Sequence, residues 1–210
     1  MRSLVLLLGF IVPLLACAQE APSKYQEGKH YIAIDEPVRT TDPTRIEVTE
    51  VFWYGCSHCF MFEPKLKEWL KTQSDDVKFV ATPAMWNRNM EVHARAFYTA
   101  KALGVLDKVH EPLFRALNIE KKRLLNADEV GELFAAHGVD RETFDKTFES
   151  FGVNSQVKQA VARTRGYQIT GTPEMVVNGQ YRVSARNAGG HDEMLKVVDY
   201  LIDKLRAQRS

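Results

Sequence analysis

The stretch Ile46-Glu47-Val48-Thr49-Glu50-Val51-Phe52-Trp53-Tyr54-Gly55-Cys56-Ser57-His58-Cys59 begins as a strand and ends as a chemical site. Its first nine residues are rich in β-branched and aromatic types, which suits a central strand, and Gly55 closes it. Cys56 follows at once. Over residues 57 to about 71 the apolar Phe60, Met61, Leu66, Trp69 and Leu70 recur at mixed spacings of three and four, which suits a helix. Pro64 falls inside that helix, where it removes a backbone hydrogen bond and should kink it. Val77-Lys78-Phe79-Val80-Ala81 reads as a second strand closed by Pro83. Strand, helix, strand implies a parallel βαβ unit.

Downstream the pattern changes. Between residues 88 and 166 no convincing strand occurs. Residues 94–103 read as a helix ended by Gly104, and Asn126-Ala127-Asp128-Glu129 is a capping box opening a helix that stops at Gly138. Phe144, Phe148 and Phe151 mark a further apolar face, and residues 155–165 a helix ending at Gly166. Aromatic residues at helical spacing are usually core. Met175-Val176-Val177 and Tyr181-Arg182-Val183 then flank Asn178-Gly179, the strongest hairpin signal in the chain. Gly189-Gly190 leads into an amphipathic closing helix carrying Met194, Leu195, Val197, Val198, Leu201, Ile202 and Leu205. The outline is an α/β chain: a thioredoxin-like fold, residues 25–87 and 167–207, with an inserted all-helical domain, residues 88–166. Residues 19–29 are polar and read as a loose leader.

The composition is that of an ordinary globular protein. Of 210 residues, 45% are hydrophobic and 26% charged, which excludes collagen-like, low-complexity and disulfide-scaffold classes. Lys and Arg number 28 against 27 Asp and Glu, a formal charge of +1 that argues against nucleic acid as a partner. Three cysteines make an odd count.

The N-terminus reads as an address. Arg2 precedes an apolar run of about a dozen residues, the length of a signal-peptide core and too short to span a membrane as a helix. Residues 1–18 are therefore expected to be a signal peptide, and the protein to be exported to the periplasm. Two processing sites overlap and define different mature proteins. Ala16-Cys17-Ala18 fits small-x-small cleavage, giving a soluble chain that begins at Gln19, whereas Leu14-Leu15-Ala16-Cys17 has the form of a lipobox, in which Cys17 is lipidated and tethers the chain to a membrane. Export also changes what a close cysteine pair means, because an oxidising compartment favours a disulfide.

Cys56-Ser57-His58-Cys59 starts a helix directly after a strand. The first sulfur there meets backbone N–H groups and the positive end of the helix dipole, and both favour its thiolate. His58 adds an adjustable charge within reach of that sulfur. Each unit by which the thiol pKa falls favours the thiolate by about 1.4 kcal/mol, or roughly 30 mV for a two-electron couple. Two other readings stay open. Cys56, His58 and Cys59 are all metal ligand types, but the sequence offers no second cysteine pair or His-x-His cluster to complete a tetrahedral set. A purely structural disulfide closing so small a ring gains little chain entropy. His30, His93, His110, His137 and His191 are scattered singly and read as surface or satisfied core residues.

The Cys56-Ser57-His58-Cys59 motif, the later Gly171-Thr172-Pro173-Glu174-Met175-Val176-Val177-Asn178-Gly179, and the helical insert between them closely resemble the DsbA family of periplasmic thiol:disulfide interchange proteins, in its pseudomonad form. The resemblance covers residues 25 to 207. It implies a dithiol oxidase that donates a Cys56–Cys59 disulfide to exported proteins with free thiols, needs no cofactor or metal, works as a monomer and is reoxidised by the membrane quinone reductase DsbB. An acidic catalytic thiol is a known property of DsbA, so the resemblance implies it here too. It makes Cys56 the exposed nucleophile, Cys59 its buried partner, Pro173 a cis-proline beside the disulfide, Thr172 a substrate contact and Glu50 a buried carboxyl near the sulfurs. Glu63 matches an acidic family position, read as an exposed helix carboxylate.

Three residues depart from the family pattern. Ser57 stands where proline is usual, Thr172 where valine is frequent, and Ala81 where some members carry a basic residue that would pair with Glu50. A reductase or isomerase is commonly dimeric, and no dimerisation domain is visible in the sequence. From a different class, a metal chaperone or a lipid-anchored binding protein could use the same fold without turnover.

Overall fold

The computed structural model describes residues 23–209. The expected signal peptide, both processing sites and Cys17 lie outside the described residues.

Among the described residues five strands form one sheet in the order β1-β5-β4-β2-β3: β1 (Ile32–Ala33), β2 (Ile46–Phe52), β3 (Val77–Pro83), β4 (Glu174–Val177) and β5 (Tyr181–Ser184). Every residue of β2 is buried, as its apolar run predicts. β2 pairs in parallel with β3, setting Glu50 opposite Ala81, and antiparallel with β4, setting Glu50 opposite Met175. The hairpin signal at Asn178-Gly179 joins β4 to β5. Both residues have positive φ, and a side chain on Gly179 would meet the Val38 carbonyl oxygen at 1.9 Å. Only glycine fits there.

The period of two along β2 divides its neighbours. Ile46 and Val48 share a core with Phe62, Leu66 and Trp69 of α1 (Ser57–Leu70). The chain returns from β5 through the short α7 (Ala185–Ala188) into α8 (His191–Arg209), which packs in the same core through Met194, Val198, Leu201 and Ile202. Trp69 Nε1 donates to Asp199 at 2.8 Å and ties α1 to α8. From the alternate positions, Val51 packs with Tyr167, while Glu47 and Thr49 receive Arg163.

Between β3 and β4 the chain is helical throughout: α2 (Arg88–Ala102), α3 (Leu106–Asn118), α4 (Ala127–Ala136), α5 (Arg141–Phe148) and α6 (Phe151–Gly166). Asn87, Asn126, Asp140 and Ser150 cap α2, α4, α5 and α6, each side chain accepting the backbone N–H three residues on. The insert is fastened to the sheet by an ion pair between half-buried Arg163 and buried Glu47. Its core of Phe97, Leu113, Phe114, Phe134, Phe144 and Phe148 is continuous with Phe52, Tyr54 and Cys59. Cys59 thus lies within the helical core, and half-buried Cys56 packs against its edge.

The chain differs from the expectations in several places, α6 among them, which starts at Phe151 and not at residue 155. The leader is not loose over its described part: Tyr25 is buried against Tyr200, and its hydroxyl donates to Glu193. α2 starts at Arg88, earlier than residue 94, because Asn87 caps it. α3 was not singled out in the sequence. Phe151 is 87% exposed, so it does not extend the face of Phe144 and Phe148. The three-residue spacing from Phe148 crosses the break between α5 and α6, where Ser150 restarts the helix and reorients Phe151.

Candidate active site

β2 delivers the chain to Trp53-Tyr54-Gly55, a turn closed by the Cys56 N–H donating to the Trp53 carbonyl at 3.0 Å. Gly55 is required, since a Cβ there would lie 2.4 Å from the Trp53 ring. Trp53 Nε1 donates to His93, whose other nitrogen meets the carbonyls of Arg123 and Leu124. From α3, Asn118 donates to the Tyr54 carbonyl at 2.8 Å. The insert therefore clamps the turn that aims Cys56.

Cys56 is the N-cap of α1, and the two cysteines stand as free thiols. The Cys56 sulfur accepts the Cys59 N–H at 3.3 Å, and as a thiol it donates to the Thr172 carbonyl at 3.3 Å. A hydrogen bond from the Cys59 side chain is the largest influence holding the Cys56 thiol down to about 5, helped by the Thr172 side chain and the N–H groups of Cys59 and His58 against the cost of burial. The His58 imidazole is not among the leading influences. Cys59 is fully buried, and burial first, then its hydrogen bond to Cys56 and the charges of Glu50 and Cys56, push its thiol far up. One sulfur is an accessible anion and its partner a buried thiol.

The Thr172–Pro173 peptide bond is cis, and the loop that carries it lies against Cys56. Buried Glu174 organises that loop. Its Oε1 accepts the N–H groups of Thr170 at 3.1 Å and Gly171 at 3.0 Å, together with the Thr170 hydroxyl. The one sequence sign of this role for Glu174 is a carboxylate at the head of an apolar strand. His58 is exposed and borders a groove of about 550 Å³ with Thr172, Pro173, Arg186 and His191. Its ring lies 6.4 Å from that of His191.

Glu50 is buried close enough to both sulfurs for its charge to act on them. Its Oε1 has no hydrogen-bond partner, and burial, Glu63 and Cys56 together hold its carboxyl well above the usual carboxylate range. Glu50 and Glu63 line one cavity of about 380 Å³ with Ala81 and His110. Glu63 is buried, not exposed as its helix position suggested, and its carboxylate lies 3.4 Å from His110 Nε2. The stripe Cys59, Phe62, Glu63, Leu66 on α1 carried that signal. His110 and His191 are likewise not scattered singles: packing brings both to the site. With Ala81 opposite Glu50, no cation stands at that strand position. Among the described residues no group of three or more His, Cys, Asp or Glu is placed to hold a metal ion, and no helix is long and apolar enough to cross a membrane.

A family model described as a DSBA-like thioredoxin domain matches residues 72–201. The thiol:disulfide interchange protein DsbA of Pseudomonas aeruginosa is 40% identical over 207 residues, covering 99% of this chain and 98% of that protein, so the match spans the cysteines as well. The chain belongs to the DsbA family. The DsbA of Azotobacter vinelandii is also 40% identical, over 89% of this chain and 87% of its own length. The crystal structure of P. aeruginosa DsbA superposes with a TM-score of 0.85 at 42% identity, covering 88% of this chain and 96% of that one. The fold is that of DsbA, a thioredoxin fold with a helical insert, and the protein is a protein disulfide oxidoreductase.

Proposed function

We propose that this DsbA-family protein passes a Cys56–Cys59 disulfide to exported polypeptides in the periplasm. The observation that carries the reading is the asymmetry of the two thiols, one held near 5 and the other pushed far up. A substrate thiolate attacks the Cys56 sulfur of the oxidised pair, the S–S electron pair leaves on Cys59, and a mixed disulfide forms. The substrate's second thiolate then attacks the substrate sulfur of that bond, and Cys56 departs as the stabilised anion. A sulfur so stable as an anion is a good leaving group, which drives the transfer toward the substrate.

Cys56 is the attacked sulfur and Cys59 the leaving one. Glu50, neutral in its buried site, supplies a proton to Cys59. The His58 imidazole faces the incoming substrate, and Thr172 with Pro173 lines the groove in which an extended segment lies. Residues 88–166 form the insert, and 25–87 with 167–207 the thioredoxin-like domain. The protein acts as a monomer reoxidised by DsbB, with residues 1–18 as its export signal and Cys17 either removed or acylated.

Equilibration of the pair with glutathione buffers tests the reading. A potential more positive than about −180 mV, the value of the isomerase class, is expected; one near −270 mV, that of thioredoxin, would overturn it.

A further inference from the structure

The cavity beside Glu50 runs from that buried carboxyl to the exposed Lys67 on α1 and the exposed Asp107 and Glu111 on α3. At about 380 Å³ it has room for several waters, since each occupies about 30 Å³ of liquid. His110 stands in its wall with a polar partner on each nitrogen. The Tyr54 hydroxyl lies 2.7 Å from Nδ1 and Glu63 lies 3.4 Å from Nε2. Burial raises the Tyr54 phenol well above its ordinary pKa, so its hydroxyl can donate to Nδ1, with the ring proton then on Nε2 facing Glu63. When the ring is an imidazolium, Nδ1–H donates to the same phenol oxygen. The ring can therefore gain and lose a proton without losing a hydrogen bond. Phe52, Phe97 and Phe114 pack at steep angles around it and fix its plane.

We propose that His110 relays protons between Glu50 and solvent for the buried sulfur, through water in this cavity. The inference rests on the reading of Glu50 given above. His110 acts through Glu50, which makes it a positioning residue. The titratable and charged groups around it are Glu50 of β2, Tyr54 of the turn, Glu63 and Lys67 of α1, and Asp107 and Glu111 of its own helix. When a substrate thiolate opens the disulfide, Glu50 gives its proton to the Cys59 sulfur and becomes a carboxylate. His110 returns a proton to Glu50 through cavity water and takes another from solvent. Reoxidation runs the same transfers backwards, and no electron passes through the relay.

Single-turnover oxidation of a dithiol peptide, followed by stopped flow from pH 5.5 to 8, tests this on the whole mature protein. Proton-transfer groups contribute about 10²–10⁴-fold to such steps. With water as a partial substitute, His110→Gln should slow the step about 10-fold and flatten its pH profile, while the glutathione equilibrium moves less than about 2-fold. A Glu50→Gln/His110→Gln double variant should be no slower than the slower single variant, because both lie on one path. Imidazole in the buffer should restore part of the rate to His110→Ala. A wild-type rate and profile in His110→Gln, with Glu50→Gln slowed, overturns the relay and leaves the Glu50 reading standing. An unchanged rate in Glu50→Gln overturns both. Slowing without imidazole rescue and with a shifted glutathione equilibrium marks packing damage and also overturns the relay.

Discussion

The two sulfurs lie three residues apart in sequence and in unlike parts of the molecule. Cys56 caps a helix beside the cis-proline loop, where hydrogen-bond donors converge on its sulfur. Cys59 is fully buried in a core shared with Phe97, Phe114 and Phe134, near the Glu50 carboxyl, which burial holds well above the usual carboxylate range. The same four-residue turn thus places one thiol where an anion is welcome and the other where an anion is costly. Directionality of disulfide transfer follows from that contrast, because only Cys56 departs readily as a thiolate.

The largest effect comes from removing one member of the contrast. Cys59→Ala should abolish catalytic oxidation and raise the Cys56 pKa by a unit or more, since the Cys59 side chain is its largest support. The rise should stop short of the free-thiol value of about 8.5, because the N–H groups and Thr172 remain. Iodoacetamide alkylation rates against pH would read it.

A change confined to the helical core should leave the Cys56 side alone. Phe134 is fully buried with its ring centroid 4.8 Å from that of Phe144. Phe134→Ala should cost about 3–5 kcal/mol in denaturant unfolding while the Cys56 titration stays near 5. A parallel shift of both quantities would show that the two sides are one unit.

A further effect is a pH dependence. The Cys56 pKa is lower in the folded reduced protein than in the unfolded chain, so it contributes stability that is full above about 8.5 and is lost as pH falls through about 5. The oxidised protein has no such group. The stability of reduced over oxidised protein should therefore shrink between about pH 8.5 and 5, by up to about 1.4 kcal/mol per unit and less where solvent screens the sulfur. Paired melting curves of the two forms would follow it.

What the sequence made legible was local. The strand-to-helix junction at Cys56, the Asn178-Gly179 hairpin and the Asn126 cap each depend on a few adjacent residues, and the fold class follows from their order. The Cys59 side depends on packing between distant segments. Glu63 and His110 meet across α1 and α3, and a carboxylate or imidazole on a helix gives no local sign of what it will face. A partial sign existed in both cases: Glu63 lies on the apolar stripe of α1, and His110 lies between Val109 and Leu113 on that of α3. Tyr25 shows the same limit, since its polar neighbours hid a ring that seals α8.

The most direct test of the contrast is a thiolate titration of the reduced protein by absorbance near 240 nm, from pH 3 to 10. One thiolate should appear with a midpoint near 5, and no second one should follow before the end of the range. A first midpoint near the free-thiol value of about 8.5, or two thiolates appearing within the range, would contradict the account.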